Sequence, residues 1–277
     1  MKKLFYLSCG AALVLAASCN KVEVAPGPQP RPASTTVDLS HDGTSNCYLL
    51  SEPGVYSFDA TVRGNGAETE GLAKPAALAP AGAKLVWETE KGLVSAVSYA
   101  DGKISFTSSG NPGNALIAAL DADGNIIWSW HIWYPEDEVL TYGLKSGYRA
   151  MNMDLGALAA EFSTDSDVKP YGMLYQWGRK DPFPPAPTRT GDTQTVGAPL
   201  YDADGQQVSI DHTSWTSSDE NTLEFAIANP TVCVASGALA ATSQDWLAES
   251  VDGLWGNPLG SVRDRATNTY PNKGAKS

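Results

Sequence analysis

Ile126-Ile127-Trp128-Ser129-Trp130-His131-Ile132-Trp133 follows Ala115 to Leu120 across the run Asp121-Ala122-Asp123-Gly124-Asn125. Read with a period of two, Trp128, Trp130 and Ile132 fall on one face. Ile127, Ser129, His131 and Trp133 fall on the other, the alternation of a strand with two unlike faces. The same arrangement stands upstream, where Val94 to Tyr99, Asp101-Gly102 and Lys103 to Thr107 read as a hairpin. Asp-Gly between two such runs is a strong signal, because a primed turn needs positive φ. Further out, Leu85-Val86-Trp87 is another candidate strand, and Val55 to Val62 is rich in β-branched and aromatic residues. Cys47-Tyr48-Leu49-Leu50 is a short apolar run closed by the turn residues Glu52-Pro53-Gly54. Short strands at close spacing, with no helical period, predict an antiparallel Ig-like β-sandwich over residues 38–135. The fold class is mostly β.

The chain carries 31 Asp and Glu against 19 Lys and Arg, a net charge of −12. With 42% hydrophobic residues it is globular, and its length allows one large domain or two modest ones. No Lys/Arg cluster is present to neutralise phosphates, so nucleic acid is not an expected partner. Three His and four Cys leave little material for a metal centre or a nucleophile. No cofactor and no metal are expected.

The N-terminus points to a membrane surface. Lys2 and Lys3 precede the apolar stretch Leu4 to Ala17. That stretch is shorter than the roughly 20 residues a spanning helix needs, and it matches the apolar core of a signal peptide. It ends in Leu15-Ala16-Ala17-Ser18-Cys19. Small residues immediately before a cysteine resemble the bacterial lipobox, which implies a leader over residues 1–18 and lipidation of Cys19. Several acyl chains anchor a protein where one would not. Residues 19–37 hold Pro26, Pro28, Pro30 and Pro32, a composition that favours an extended spacer.

Beyond the acidic connector Pro135-Glu136-Asp137-Glu138 the texture changes. Met151-Asn152-Met153-Asp154-Leu155-Gly156-Ala157 comes first. Then comes the most distinctive stretch, Tyr171-Gly172-Met173-Leu174-Tyr175-Gln176-Trp177-Gly178-Arg179-Lys180-Asp181-Pro182-Phe183-Pro184. Glu220 to Asn229 allows a short helix ended by Pro230, and Thr231 to Val234 a strand. Residues 139–277 thus read as a loop-rich α+β domain whose aromatic residues pin irregular backbone.

Asp121-x-Asp123-Gly124-Asn125 has neither the sixth-place Gly nor the twelfth-place Glu of an EF-hand, so it reads as a hairpin turn. His131 reads as a satisfied strand histidine, since no Cys, His or second carboxylate has partnering spacing. Cys9 lies in the leader and Cys19 is the lipid acceptor, which leaves Cys47 and Cys233. Their placement in different expected domains argues against a bridge, which needs Cα atoms within about 7 Å. Cys47 reads as a buried small hydrophobe. Motifs of serine hydrolases, zincins and P-loop enzymes are missing. Asp154, Glu161 and Asp181 are carboxylates without a pairing pattern, so no catalytic residue is assigned and the protein is not expected to be an enzyme.

Asn46-Cys47-Tyr48-Leu49-Leu50-x-x-Pro53-Gly54-x-Tyr56-x-Phe58, with Trp128 to Trp133, resembles the N-terminal sandwich of Bacteroidetes surface lipoproteins related to fimbrial proteins. Met151 to Ala157 and Tyr171 to Pro184 are similar to the Fibrobacter succinogenes major paralogous domain, which has a C-type-lectin-like fold. The resemblance implies secretion, surface exposure at the outer membrane, and adhesion or contact with a glycan or a fimbrial protein. It implies no catalytic residues. Relatives continue past the Asn272-Lys273-Gly274 stretch into a Cys-Pro-Pro-Gly segment, so the second domain is expected to be incomplete. Candidate ligand-contacting residues are Tyr175, Trp177, Arg179, Asp181, Trp215, Trp246 and Trp255, whose rings and charges suit a sugar or peptide. A surface hydrolase or carbohydrate-processing accessory protein is the alternative reading.

Overall fold

The alternating runs become strands. β1 spans Val37–Asp38, β2 Cys47–Leu49, β3 Gly54–Asp59 and β4 Gly82–Glu88. β5 spans Val94–Ala100, β6 Lys103–Ser108, β7 Gly113–Leu120 and β8 Ile126–Tyr134. In this computed structural model the described residues are 35–66, 77–145, 147, 149–164, 167–176, 179–185, 198–212, 220–234 and 247. Asp101 and Gly102 turn β5 into β6 with φ of 50° and 82°, the left-handed values that the hairpin reading required. Between β7 and β8 the Asp121 carboxylate accepts the backbone N–H of Asp123 at 3.0 Å and of Asn125 at 2.8 Å. The aspartate is spent on the turn.

Later strands are shorter. β9 (Thr141–Gly143) pairs with β10 (Arg149–Met151), and β11 (Leu174–Tyr175) with β12 (Pro182–Phe183). β13 (Leu200–Tyr201) and β14 (Gln207–Val208) form a further hairpin. β15 (Asp211–His212) lies parallel to β16 (Val232–Cys233), and between them α1 spans Leu223–Ala228. Thr222 caps α1 by accepting the Phe225 N–H at 3.1 Å.

The protein is mostly β, with several sheets and none closed. One sheet has the order β1-β3-β6-β5 and another the order β14-β13-β4-β7-β8-β2. Two pairings correct the antiparallel expectation: β1 runs parallel to β3, and β2 parallel to β8. Both are short strands that reach a sheet edge through loops, so no hairpin dictates their direction. The second pairing sets Cys47 opposite His131.

Side chains of both sheets share one core. Tyr56, Phe58, Ile104 and Phe106 come from the first sheet, and Leu85, Ile117, Trp130 and Ile132 from the second. The Phe58 ring lies 5.0 Å from that of Trp130 and 4.9 Å from that of Tyr48. Fully burying each such ring contributes on the order of 1.5–3 kcal/mol.

A bulge between Leu85 and Trp87 breaks the alternation of β4. Leu85 stays in the core between the sheets. Trp87, shifted by the extra residue, turns to the opposite face and packs with Leu116, Met173 and Leu200. Trp133 on the same outer face packs with Met153 and Ala157 and donates its indole N–H to the Ala157 carbonyl at 2.7 Å. The outer face of the six-stranded sheet is therefore covered, by strings from beyond the 135–138 connector. Residues on both sides of that connector belong to one compact unit, Ser34–Ser277.

The two distinctive strings also meet each other. The Met173 N–H donates to the Leu155 carbonyl at 2.8 Å. Gly156 has a φ of +83°, and a Cβ there would stand 2.3 Å from Met173 Cγ. Only glycine allows this approach.

Candidate functional site

Chemistry-bearing side chains gather where the outer face of β8 meets the covering strings. Ser129, His131 and Trp133 project there by the period of two, and each is at most 2% exposed. Two polar networks start from the first two.

The His131 network spans five parts of the chain. The Asn114 amide Nδ2 donates to the Gly156 carbonyl at 2.9 Å, which leaves Asn114 Oδ1 as an acceptor. His131 Nε2 lies 2.8 Å from that oxygen and must carry the proton. Nδ1 is then the acceptor. The Tyr175 hydroxyl stands 3.2 Å from it and Cys47 Sγ 3.3 Å. Burial holds His131 far below its usual range, at about 3. It pushes the Cys47 thiol up to about 12, and raises the Tyr175 hydroxyl likewise. Thiol, imidazole and amide stand in the order that thiol hydrolases use: nucleophile, base, orienting group. The electrostatics oppose that use, since the thiolate is the nucleophile and this dry site favours the neutral thiol. The four residues act as a junction.

The second network surrounds Asp181, which is 1% exposed. Its carboxylate accepts from Ser129 Oγ at 2.6 Å and from Lys180 Nζ at 2.5 Å, with Arg179 Nε at 3.6 Å. Burial lowers the Lys180 ammonium against the opposing pull of Asp181. The ammonium also sits 4.5 Å from the centre of the Trp128 ring, whose indole N–H donates to Asn46 Oδ1 at 3.1 Å. The Arg179 guanidinium donates to the carbonyls of Asn229 at 2.8 Å, Ala226 at 3.2 Å and Val232 at 2.5 Å. It thus closes the C-terminal end of α1 and holds β16. Gln176 pairs with the backbone of Val234 in both directions, at 2.8 and 3.0 Å.

Of the expected ligand contacts, Tyr175, Arg179 and Asp181 are therefore engaged inside the protein. Trp177, Trp215, Trp246 and Trp255 lie outside the described residues, as does Cys19. His131 is the satisfied strand histidine that was expected, but the expectation that it lacks a cysteine partner is corrected by Cys47. That pair is separated by 84 positions, and only the parallel register of β2 on β8 joins it. Cys47 is also half-buried and hydrogen-bonded rather than simply a packed hydrophobe, and both it and Cys233 are unbridged.

Among the described residues no group of three or more His, Cys, Asp or Glu side chains is placed to hold a metal ion. No described helix is long and apolar enough to cross a membrane. A shallow cleft of about 530 Å³ lies elsewhere, lined by Lys84, Ile126, Asp202, Asp204, Val208 and Asn229 among others. Asp202 repeats the role of Asp121, accepting the N–H groups of Asp204 at 3.0 Å and Gln206 at 2.8 Å. The tetrad Asp-Ala-Asp-Gly, present at both 121–124 and 202–205, was the signal for this second hairpin. Comparison of the chain with protein-family models, with curated proteins and with solved structures finds no match.

Proposed function

We propose that this chain is a lipid-anchored surface lipoprotein of the Bacteroidetes kind, held at the outer membrane or cell surface through Cys19. In this reading an Ig-like sandwich carries a C-type-lectin-like layer, and the protein binds a glycan or a protein partner, or joins a fimbria-like assembly, without catalysis. The observation that carries the non-catalytic part is the inward use of chemistry. Arg179, Asp181, His131 and Tyr175 spend their polar atoms on Ala226, Asn229, Ser129, Asn114 and one another. The leader that ends just before Cys19 and the spacer with Pro26 to Pro32 support the anchor.

The test has two arms. Cys19→Ala should release the protein from membranes or stall its processing; a processed mutant that still fractionates with membranes sinks the anchor. A polysaccharide screen then scores retention together with reducing-end release. Retention without release supports the binding reading.

The order Cys47–His131–Asn114 is the one observation that favours the hydrolase alternative. That alternative requires turnover that disappears in Cys47→Ala, and a thiol that iodoacetamide labels at pH 7. With the thiol pushed up to about 12, Cys47 should label slowly at pH 7 until the protein unfolds.

A further inference from the structure

We propose that His131, Asn114 and Tyr175 form an acid-sensitive latch, which holds the 153–157 and 171–175 strings on the outer face of the six-stranded sheet and frees them when the imidazole takes up a proton. The two strings hang on one ring from opposite sides. Gly156 is reached through the Asn114 amide at Nε2, and Tyr175 directly at Nδ1. The neutral ring donates at Nε2 and accepts at Nδ1, which satisfies both contacts without a charge.

Protonation makes Nδ1 a donor, so the Tyr175 hydroxyl has to turn its oxygen to the ring and the Cys47 S–H loses its acceptor. It also places a charge in a site with 1% exposure. Among the described residues, the groups that face the ring offer no neutralising charge. From β2 comes the Cys47 thiol, from β7 the Asn114 amide, from β11 the Tyr175 hydroxyl, and from the 153–157 string a backbone carbonyl. A charged cluster lies beyond Ser129, two residues back on β8. There Asp181 is already held by Lys180 and Arg179.

The strings should leave before the sandwich opens. Among the described residues their apolar hold is two small clusters, Trp87, Leu116, Met173 and Leu200 with Tyr175 beside them, and Trp133, Met153 and Ala157 with Leu155 beside them. Leu174, within the strings, is 57% exposed. The buried carboxyl of the sandwich is Glu88 on β4, which burial raises; it accepts the N–H groups of Gly92 and Val94 at the start of β5, so β3, β6 and β7 serve as the reference for the strings.

The direction follows from linkage. A base held at about 3 when folded, against 6.5 when open, contributes stability that is complete above pH 6.5. That contribution is lost progressively as pH falls from 6.5 towards 3. Hydrogen exchange read by mass spectrometry from pH 7.5 to 4.5, corrected for intrinsic rates, tests it. Protection of the 153–157 and 171–175 amides should fall about tenfold per pH unit below about 6, with the β3, β6 and β7 amides unchanged. His131→Gln keeps one donor and one acceptor and should flatten the slope. Tyr175→Phe should lower protection of the strings at pH 7.5 and leave the slope in place, so it serves if His131→Gln does not fold. A flat wild-type profile, an equal slope in His131→Gln, a slope abolished in Tyr175→Phe, or loss of strings and sandwich in step would each overturn the latch.

Discussion

The two faces of β7 and β8 are equally dry and chemically opposite. Inward lie Ala115, Ile117, Ala119, Trp130 and Ile132, all 0% exposed. Outward lie Asn114, Leu116, Ser129, His131 and Trp133, none above 4%. The inner contacts are non-directional, so any well-fitting apolar group contributes to them. The outer contacts are conditional, because each buried donor must find its acceptor or cost more than it contributes. Burial alone does not distinguish the faces. What does is the partner: a second sheet on one side, loop-rich strings on the other.

The inner face should give the largest effect. Phe58→Ala removes a fully buried ring that touches Tyr48 and Trp130, and should cost about 3–5 kcal/mol. Urea unfolding should show one transition, shifted for both faces at once. A cost below about 1 kcal/mol would mean that this core does not carry the fold. Next comes Asp181→Ala on the outer face, which strands the buried Lys180 and Arg179 cations and should cost about 3 kcal/mol. Here the loss should be local, with exchange rising at α1 and β16 before β3 or β6. A uniform loss would erase the contrast between the faces.

The inner face was legible in the sequence because its information is local. Alternation at Trp128, Trp130 and Ile132 and the Asp101-Gly102 turn each lie within a few residues. The bulge that sends Trp87 outward was not legible, because Leu85-Val86-Trp87 reads as an ordinary strand until its register on β7 is known. The strings at 151–157 and 171–184 stood out as distinctive, but their direction did not. Arg179 and Asp181 look like surface chemistry until the backbone carbonyls of 226–232 are brought to them. Cover for Tyr175 and Phe183 is likewise a matter of residues distant in the chain. Tyr175 packs with the Trp87 cluster on the sheet, and Phe183 lies 5.0 Å beneath the Arg179 guanidinium.

A smaller effect probes how tightly the strings meet. Gly156→Ala forces a left-handed φ of +83° on a residue with a Cβ, and sets that Cβ 2.3 Å from Met173 Cγ and 3.1 Å from Asn114 Oδ1. It should cost about 1–3 kcal/mol, read as earlier loss of near-UV dichroism on heating. Adding Met173→Ala should recover only part of this, because the backbone strain remains. Full recovery would show that the glycine is needed for space alone.

The smallest effects lie in the acceptor that Tyr175 and Cys47 share. Nδ1 of His131 has one lone pair, so one of the two hydrogens occupies it at a time. Removing either residue leaves the other in place. Tyr175→Phe and Cys47→Ala should therefore each cost only about 0.5–1.5 kcal/mol in urea unfolding, the range of a single exchanged hydrogen bond. The double variant is different. With both gone, Nδ1 is a buried acceptor with no donor, and its full desolvation penalty of about 1–3 kcal/mol comes due. The double-mutant cycle should show a coupling of about 1 kcal/mol, the double being worse than the sum. Residues that share no partner add within about 0.3–0.5 kcal/mol. Additivity within that band would mean that the thiol never serves the ring, and that Cys47 sits at 3.3 Å from His131 as packing alone. The outer face would then have one fewer conditional contact and would stand closer to the inner one.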